Sequence, residues 1–345
     1  MPNPIELRPL KVPDDYEGLA GLLNTYLSEP ISAQRLQEDD AQLYEVGHTY
    51  KDDNGLLAGY DRTRYVAVNA DGRIVGYVWS WRAPWTEPGY LNNTVVVDQD
   101  CRGQGIGRRL VRHLVQWGEG LGAVKLVSEI WDDDAGAKRF ALRNGFVVER
   151  HMFESVLELG ETQPDIPEAP ELLEKLASDG ILIRSFAEEG ITEDNERRLY
   201  EVYLETLRDI PGFMGEVPDQ NEWRKWHLQV EGYAPERVLL AIDSRQDRYA
   251  AVSNLLYKAA TNGMYHEYTG VRREYRGRSI ARALKVRAIQ LAGQQGASYL
   301  KTDNDSFNGP ILSINQSLGY VPLRGSYRIA ADLQTVKTAI IDIDS

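Results

Sequence analysis

The chain has 345 residues, 42% of them hydrophobic and 26% charged, which is long enough for two domains of ordinary size and too apolar for general disorder. A formal charge of −13 opposes nucleic acid and anionic lipid, and no stretch reaches the roughly 18 apolar residues of a membrane span. One cysteine, Cys101, precludes an intrachain disulfide, five scattered histidines give no zinc-ligand spacing, and the N-terminus lacks a signal-peptide pattern, so the expectation is a cytoplasmic protein with no nucleic-acid or membrane partner.

In chain order, IELRPL (5–10) reads as a strand, and DDYEGLAGLLNTYL and SAQRLQEDDAQLY as helices begun by Asp or Ser caps. TRYVAVNADGRIVGYVWSW is a hairpin around Asp71-Gly72, and YLNNTVVVD is a further strand. After the glycine run, Ile106, Leu110 and Leu114 recur every four residues with Val111 and Val115 beside them, so a helix opens at the loop itself. AVKLVSEI, a helix over AGAKRFALRN, and the two strands FVVER and FESVLEL close the first half.

The second half repeats the first. VVVDQDCRGQGIGRRL sits over TGVRREYRGRSIARAL at an offset of 174, which also places Gly122 over Gly296 and RNGF over SLGY. Between the copies, ELGETQPDIPEAPELLEKLASDG has three prolines and a surplus of acid, the composition of a stiff exposed connector ending in a short helical piece. The expected boundaries are 1–160 for the first domain, 161–179 for the linker and 180–345 for the second domain.

A strand that ends in a glycine-rich turn and opens a helix aims unpaired N–H groups and the positive end of the helix dipole at one point, which suits a phosphate. A Walker loop needs Gly-Lys-Ser/Thr, but Gly107 is followed by Arg108-Arg109; a dinucleotide fingerprint spaces its glycines two and then three apart, but Gly103, Gly105 and Gly107 are two and two apart. What remains is Arg-x-x-Gly-x-Gly/Ala after a strand. Together with the helix that follows, the strand KLVSEI and the closing NGF, this strongly resembles the GNAT superfamily of N-acyltransferases over nearly the whole chain.

The resemblance implies an α+β fold, an α/β sandwich of two tandem GNAT domains, each a mixed, mostly antiparallel sheet flanked by helices. It implies acetyl-CoA as co-substrate, its pyrophosphate held by Arg102, Gly103, Gln104, Gly105, Ile106 and Gly107, its pantetheine arm paired with backbone groups of Val95 and Val97. The second-half counterparts are Val271, Arg276, Gly277, Arg278, Ile280 and Ala281, with Ser279 at the central glycine, where a side chain crowds the phosphates or forces a strained dihedral.

Acyl transfer to an amine needs a base to free the nucleophile and benefits from an acid at the leaving thiolate. In the family a carboxylate on the strand before the loop often serves as base, and a tyrosine on the last helix as acid. Strand alternation in MYHEYTGV puts Glu267, Thr269 and Val271 on one face and His266 on the other, making Glu267 the candidate base unless it merely stands on a wet face. The equivalent Asn93 cannot take a proton, and the tyrosine position is Ala141 in one half and Asn315 in the other.

Asn308 and Asn315 resemble a subgroup whose asparagines bond the pantetheine amides, with Asp134 at the site of Asn308; a helix cap is the alternative for Asn308. The acceptor pocket is expected from DIPGFMGEVPDQNEWRKWHL and from the three tryptophans of WSWRAPWTEPGY, whose aromatic and acidic character suits a cationic small-molecule amine, unless the tryptophans pack a seam. The implied activity is acetyl transfer from acetyl-CoA to a primary amine by direct attack on the thioester, with the second half the better candidate for chemistry. The absent tyrosines and Ser279 motivate a competing class, a non-catalytic acyl-CoA sensor or scaffold.

Overall fold

The structure, a computed structural model, describes residues 5–27, 30–160, 166–211 and 218–341. The first half runs β1 (Glu6–Pro9), α1 (Tyr16–Leu23), α2 (Ala33–Asp40), β2 (His48–Lys51), β3 (Leu57–Val68), β4 (Ile74–Arg82), β5 (Tyr90–Val97), α3 (Ile106–Leu121), β6 (Lys125–Trp131), α4 (Ala135–Arg143) and β7 (Val147–Glu158). The second runs α5 (Ala169–Ser178), β8 (Ile181–Ser185), α6 (Phe186–Glu189), α7 (Glu193–Thr206), α8 (Gln220–His227), β9 (Val238–Asp243), β10 (Arg248–Lys258), β11 (Gly263–Val271), α9 (Ile280–Gln294), β12 (Tyr299–Asp305), α10 (Gly309–Ser317), β13 (Val321–Asp332) and α11 (Leu333–Ile341).

Two compact units form, one from Met1–His151 with Ser326–Ser345, the other from Met152–Gly325. The strand order is β1-β3-β4-β5-β6-β13 in the first, with β2 also on β3, and β8-β9-β10-β11-β12-β7 in the second. Parallel pairs occur at β5·β6 and β11·β12, giving each unit the mixed, mostly antiparallel sheet of an α+β fold.

The units depart from the boundaries 1–160, 161–179 and 180–345. Met152–Glu158 of β7 pairs with Tyr299–Asp305, and Ser326–Asp332 of β13 pairs with Lys125–Trp131, so each sheet takes a strand from the other half of the sequence. FVVER and FESVLEL are one strand, β7, because no glycine or proline breaks residues 147–158. Nor is the linker wholly an exposed connector: its helical end, α5, buries Ala169 and Leu176, while residues 161–165 lie outside the described residues. The short β2 was not legible in sequence, since its residues are mostly exposed and carry no apolar alternation.

Helix α3 lays Ile106, Leu110, Val111, Leu114 and Val115 on the first sheet, and α9 lays Ile280, Ala283, Leu284 and Ile289 on the second. Burying each large aliphatic side chain contributes roughly 1.5–3 kcal/mol. Close approach of α3 depends on Gly76, where a Cβ would stand 2.9 Å from Ile106 Cγ2. On the opposite face of the first sheet, α1 contributes Leu19 and Leu22 to a core shared with Val66 and Tyr77.

Candidate functional site

Both units part the two strands that lead to their loops. The β5·β6 ladder runs only from Tyr90↔Lys125 to Asn93↔Ser128, so Thr94 to Val97 keep their other partner, β4, and leave one edge unpaired. In the second unit β11·β12 stops at His266↔Thr302, and the following residues through Val271 pair only with β10. Val95, Val97 and Val271 therefore lie on free edges. A free edge in a cleft is a row of unmet N–H and C=O groups able to take an extended amide chain.

At the end of each free edge sits a loop. Gly103 and Gly105 have φ of 80° and 81°, and a Cβ on either would meet nothing within 4 Å, so the loop bends around open space at the N-terminus of α3. The buried side chains of Ile106 and Ile280 leave only their backbone N–H groups for a ligand. Gly107 packs on Phe140, whose ring a Cβ would meet at 3.3 Å. In the second unit Gly277 has φ 75° and open space, but Ser279 is held at φ 62°, a conformation that costs a non-glycine residue about 1–2 kcal/mol. Ala281 occupies the second residue of α9, and Arg278 lies over the Tyr275 ring.

The loop arginines are held alike. Arg102 Nε donates to Val97 O at 3.3 Å and its guanidinium pairs with Asp134 at 3.1 Å; Arg276 Nε donates to Val271 O at 3.0 Å and its guanidinium pairs with Asp209. Asp209, bridged by Arg273 and Arg276, is pulled down to about 2 chiefly by Arg273. Burial raises the Asp134 carboxyl, but the Ala137 N–H and Arg102 outweigh it and leave it below its ordinary range. Asp134 is thus a helix cap as well as an ion-pair partner, accepting from Ala137 N at 2.8 Å. Gln104 reaches back to Asp100 O at 3.5 Å.

The alternation expected around Glu267 is broken. The β10·β11 ladder steps from Asn254↔Tyr268 to Leu255↔His266, making Glu267 the extra residue of a β-bulge. Thr269 therefore shares a side with His266, both meeting Ser253, and not with Glu267. The bulge turns Glu267 toward α8: Oε1 accepts from His227 Nδ1 at 2.6 Å and Oε2 from Asn254 Nδ2 at 3.3 Å. Tyr203, Tyr268 and Trp223 surround the His227 ring. His227 is the last residue of α8 in the expected acceptor segment, of which residues 212–217 lie outside the described residues. No motif marks His227 in sequence, because only the bulge and α8 together bring it to Glu267. The β4·β5 ladder is continuous, and Asn93 is locked by Ser80 and by the carbonyls of Leu91 and Val127.

Asn308 stands at the N-cap of α10 but makes no side-chain capping bond. Asn315, 2% exposed, donates to Asn304 Oδ1 at 2.9 Å while its own Oδ1 has no partner.

In the first unit a cavity of about 550 Å³ lies between the α1 and α2 side chains and the sheet, bordered by Asn93, Thr94 and Ser128 at the point where β5 leaves β6. Trp79, Trp81, Trp131 and Tyr26 line it with Asp39, Asp40 and Glu129. Asp40 accepts from Tyr16 Oη at 2.5 Å and from Arg64 Nη1 at 2.7 Å, and Tyr16 is pushed up to about 12 by burial and by this carboxylate. Of the three sequence tryptophans, Trp79 and Trp81 line this cavity, whereas Trp85 is 72% exposed beside a smaller one.

In the first unit an open two-glycine cradle, a helix N-terminus and a free strand edge follow one another, the features an acetyl-CoA pyrophosphate and arm would need. The second unit offers the same edge with Ser279 in its cradle. Among the described residues no cluster of His, Cys, Asp and Glu could hold a metal ion, and no helix is long and apolar enough to cross a membrane.

Residues 29–146 match the acetyltransferase (GNAT) family. Over 95 residues the chain is 38% identical to the N-alpha-acetyltransferase RimI of Mycobacterium tuberculosis, a match that spans 26% of this chain and 57% of that protein. Across 95% of its length the chain superposes with a TM-score of 0.62 on 96% of a GCN5-related N-acetyltransferase from Sphaerobacter thermophilus, at 21% identity. A tandem GNAT protein from the clavulanic acid biosynthesis pathway gives 0.55 over 96% of this chain and 99% of its own, at 15% identity.

Proposed function

We propose that this chain, whose residues 29–146 match the GNAT acetyltransferase family and whose fold is shared with a tandem GNAT protein, is a two-domain GNAT enzyme that moves an acetyl group from acetyl-CoA to the primary amine of a small cationic acceptor by direct attack on the thioester. The observation that carries this reading is the alignment of an open glycine cradle with the free edge of β5, and of a cavity with the point where that edge begins. Acetyl-CoA supplies an activated acyl group when bound. Amides at the start of α3, with Arg102 and Gln104 at the rim, hold its pyrophosphate, and Val95 and Val97 pair with its arm. Gly277, Arg276, Arg278, Ile280, Ala281 and Val271 take those parts in the second unit, with Asn308 and Asn315 the residues that would bond the amides of the arm.

Glu267 is the base of the second unit. Its carboxylate takes the proton of the acceptor ammonium, His227 and Asn254 orient it, and the freed nitrogen attacks the thioester carbonyl carbon. In the first unit the cavity sets Arg64 and Arg328 beside its acids, with Asp40 paired to Arg64, so it is the aromatic wall of Trp79, Trp81, Trp131 and Tyr26 that favours a cation.

Thiol release over an amine panel that includes small cations and peptide α-amines, with calorimetry of acetyl-CoA, tests this. Gly105→Glu and Gly277→Glu each remove one binding event, and Glu267→Gln lowers turnover by about 10²–10⁴. Tight acetyl-CoA binding without turnover on any amine replaces this reading with that of a non-catalytic acyl-CoA sensor.

A further inference from the structure

Lys285 is a lysine in the wrong place for a structural role. It lies on α9, is 1% exposed, and no carboxylate among the described residues pairs with it. Its ammonium nitrogen stands 5.4 Å from the centre of the Tyr320 ring, and it is close enough to His266 to lower that ring's basicity further after burial has done so. Three buried polar atoms in this nest have no partner: His266 Nε2, Tyr320 Oη and Asn315 Oδ1. An unpaired buried cation beside unmet donors and acceptors costs stability, so its position calls for a ligand.

The nest lies where an acyl-CoA arm would end. Val271 lies at the loop, and five residues back along β11, about 16 Å at strand rise, is His266, the last residue to pair with β12. On the other wall Lys285 is five residues, about 7.5 Å, along α9 from the loop. A ligand with its phosphates at Gly277 and its arm along the free edge therefore brings its far end to the level of Glu267 and His266, and Lys285 stands beside His266 and Tyr320. The first unit has Asn92, Val111, Phe146 and Ala141 at the positions of His266, Lys285, Tyr320 and Asn315, so only the second unit carries the cation.

We propose that Lys285 is the proton donor to the sulfur of a coenzyme A thioester held in the second unit, where the family's tyrosine is Asn315. As the C–N bond to the acceptor forms and the C–S bond breaks, sulfur leaves with the bonding pair and takes a proton from Lys285 Nζ, which is left neutral; Glu267 holds the proton given up by the acceptor. Burial brings the amine down to about 7, below a thiol's ordinary value of about 8.5, so the transfer runs downhill near neutral pH. His266 from β11 and Tyr320 after α10 are the titratable groups beside it, and burial keeps both uncharged.

This inference rests on the acyl-transfer reading of the second unit, and the experiment separates the two. The full chain carrying Gly105→Glu, with lysines carbon-13 labelled at Cε, is titrated with coenzyme A and with desulfo-coenzyme A. One lysine resonance titrates near pH 7 where the others are fully charged; it moves with coenzyme A and not with the desulfo analogue. Lys285→Met removes that resonance, lowers turnover by about 100-fold or more, leaves the KM for acetyl-CoA within about threefold, and abolishes the alkaline fall of kcat near pH 7. Calorimetric binding with a lysine resonance blind to sulfur, or unchanged turnover in Lys285→Met, overturns the assignment of Lys285 alone. Absence of any heat with either ligand overturns the reading of the second unit and the assignment with it. Should Lys285→Met fail to fold, the ligand comparison in the Lys285-containing protein still decides.

Discussion

Lys285 also makes a prediction about stability. An unfolded lysine holds its proton up to about 10.5, whereas burial makes the folded one release it near 7. Between those values the unfolded chain binds more protons, so this residue's contribution to stability rises with pH from about 7 toward 10.5; below 7 both states are charged and the burial penalty stands in full. At 1.36 kcal/mol per pH unit the penalty is of order 5 kcal/mol. Lys285→Met should therefore raise the melting temperature most at pH 6 and progressively less toward pH 9, in parallel scans of both proteins. A difference that does not change with pH would mean that Lys285 is charged in the folded protein throughout. Ser279 is a second residue kept at a local cost, and it too lies in the second cleft.

At the scale of elements, the cleft exists because β5 and β11 part from the parallel strands beside them, β6 and β12, whose last three residues pair only on their other side. Contact between α3 and α11 is set by Gly118, where a Cβ would stand 2.7 Å from Leu333 Cδ1 and 3.2 Å from Leu91 Cδ1. Leu333 and Leu91 are both buried, so neither can give way cheaply. Gly118→Val should cost about 1–3 kcal/mol in denaturant unfolding, while acetyl-CoA affinity at the far, N-terminal end of α3 stays unchanged. Equal stability would show that α11 yields, and that it is a loose cover over the core. The bulge at Glu267 belongs to this scale as well, since a single residue inserted in β11 aims the carboxylate at α8.

For the whole molecule, the strand exchange means that a cut near the C-terminus acts on the N-terminal half. A chain ended after Gly325 loses β13's pairing with Lys125–Trp131 and the α11 side chains Leu333, Val336 and Ile340, all of which belong to the first unit. Hydrogen exchange should then show protection lost from β5, β6 and α3 but kept in β9, β10 and α9; the reverse pattern would refute the exchange. The duplication, the helices after each loop, the hairpin and the glycine cradle were all legible in sequence, because period, turn chemistry and φ > 0 glycines are local properties of a chain. So was the place of Glu267 on the strand before the second loop. The partner of Glu267, the placement of Lys285, the aromatic cavity and the owner of the last strand were not. Each depends on which distant segments meet, through a bulge register, a helix face or a strand crossing between halves, and residues that touch nothing near them in sequence leave no periodic trace.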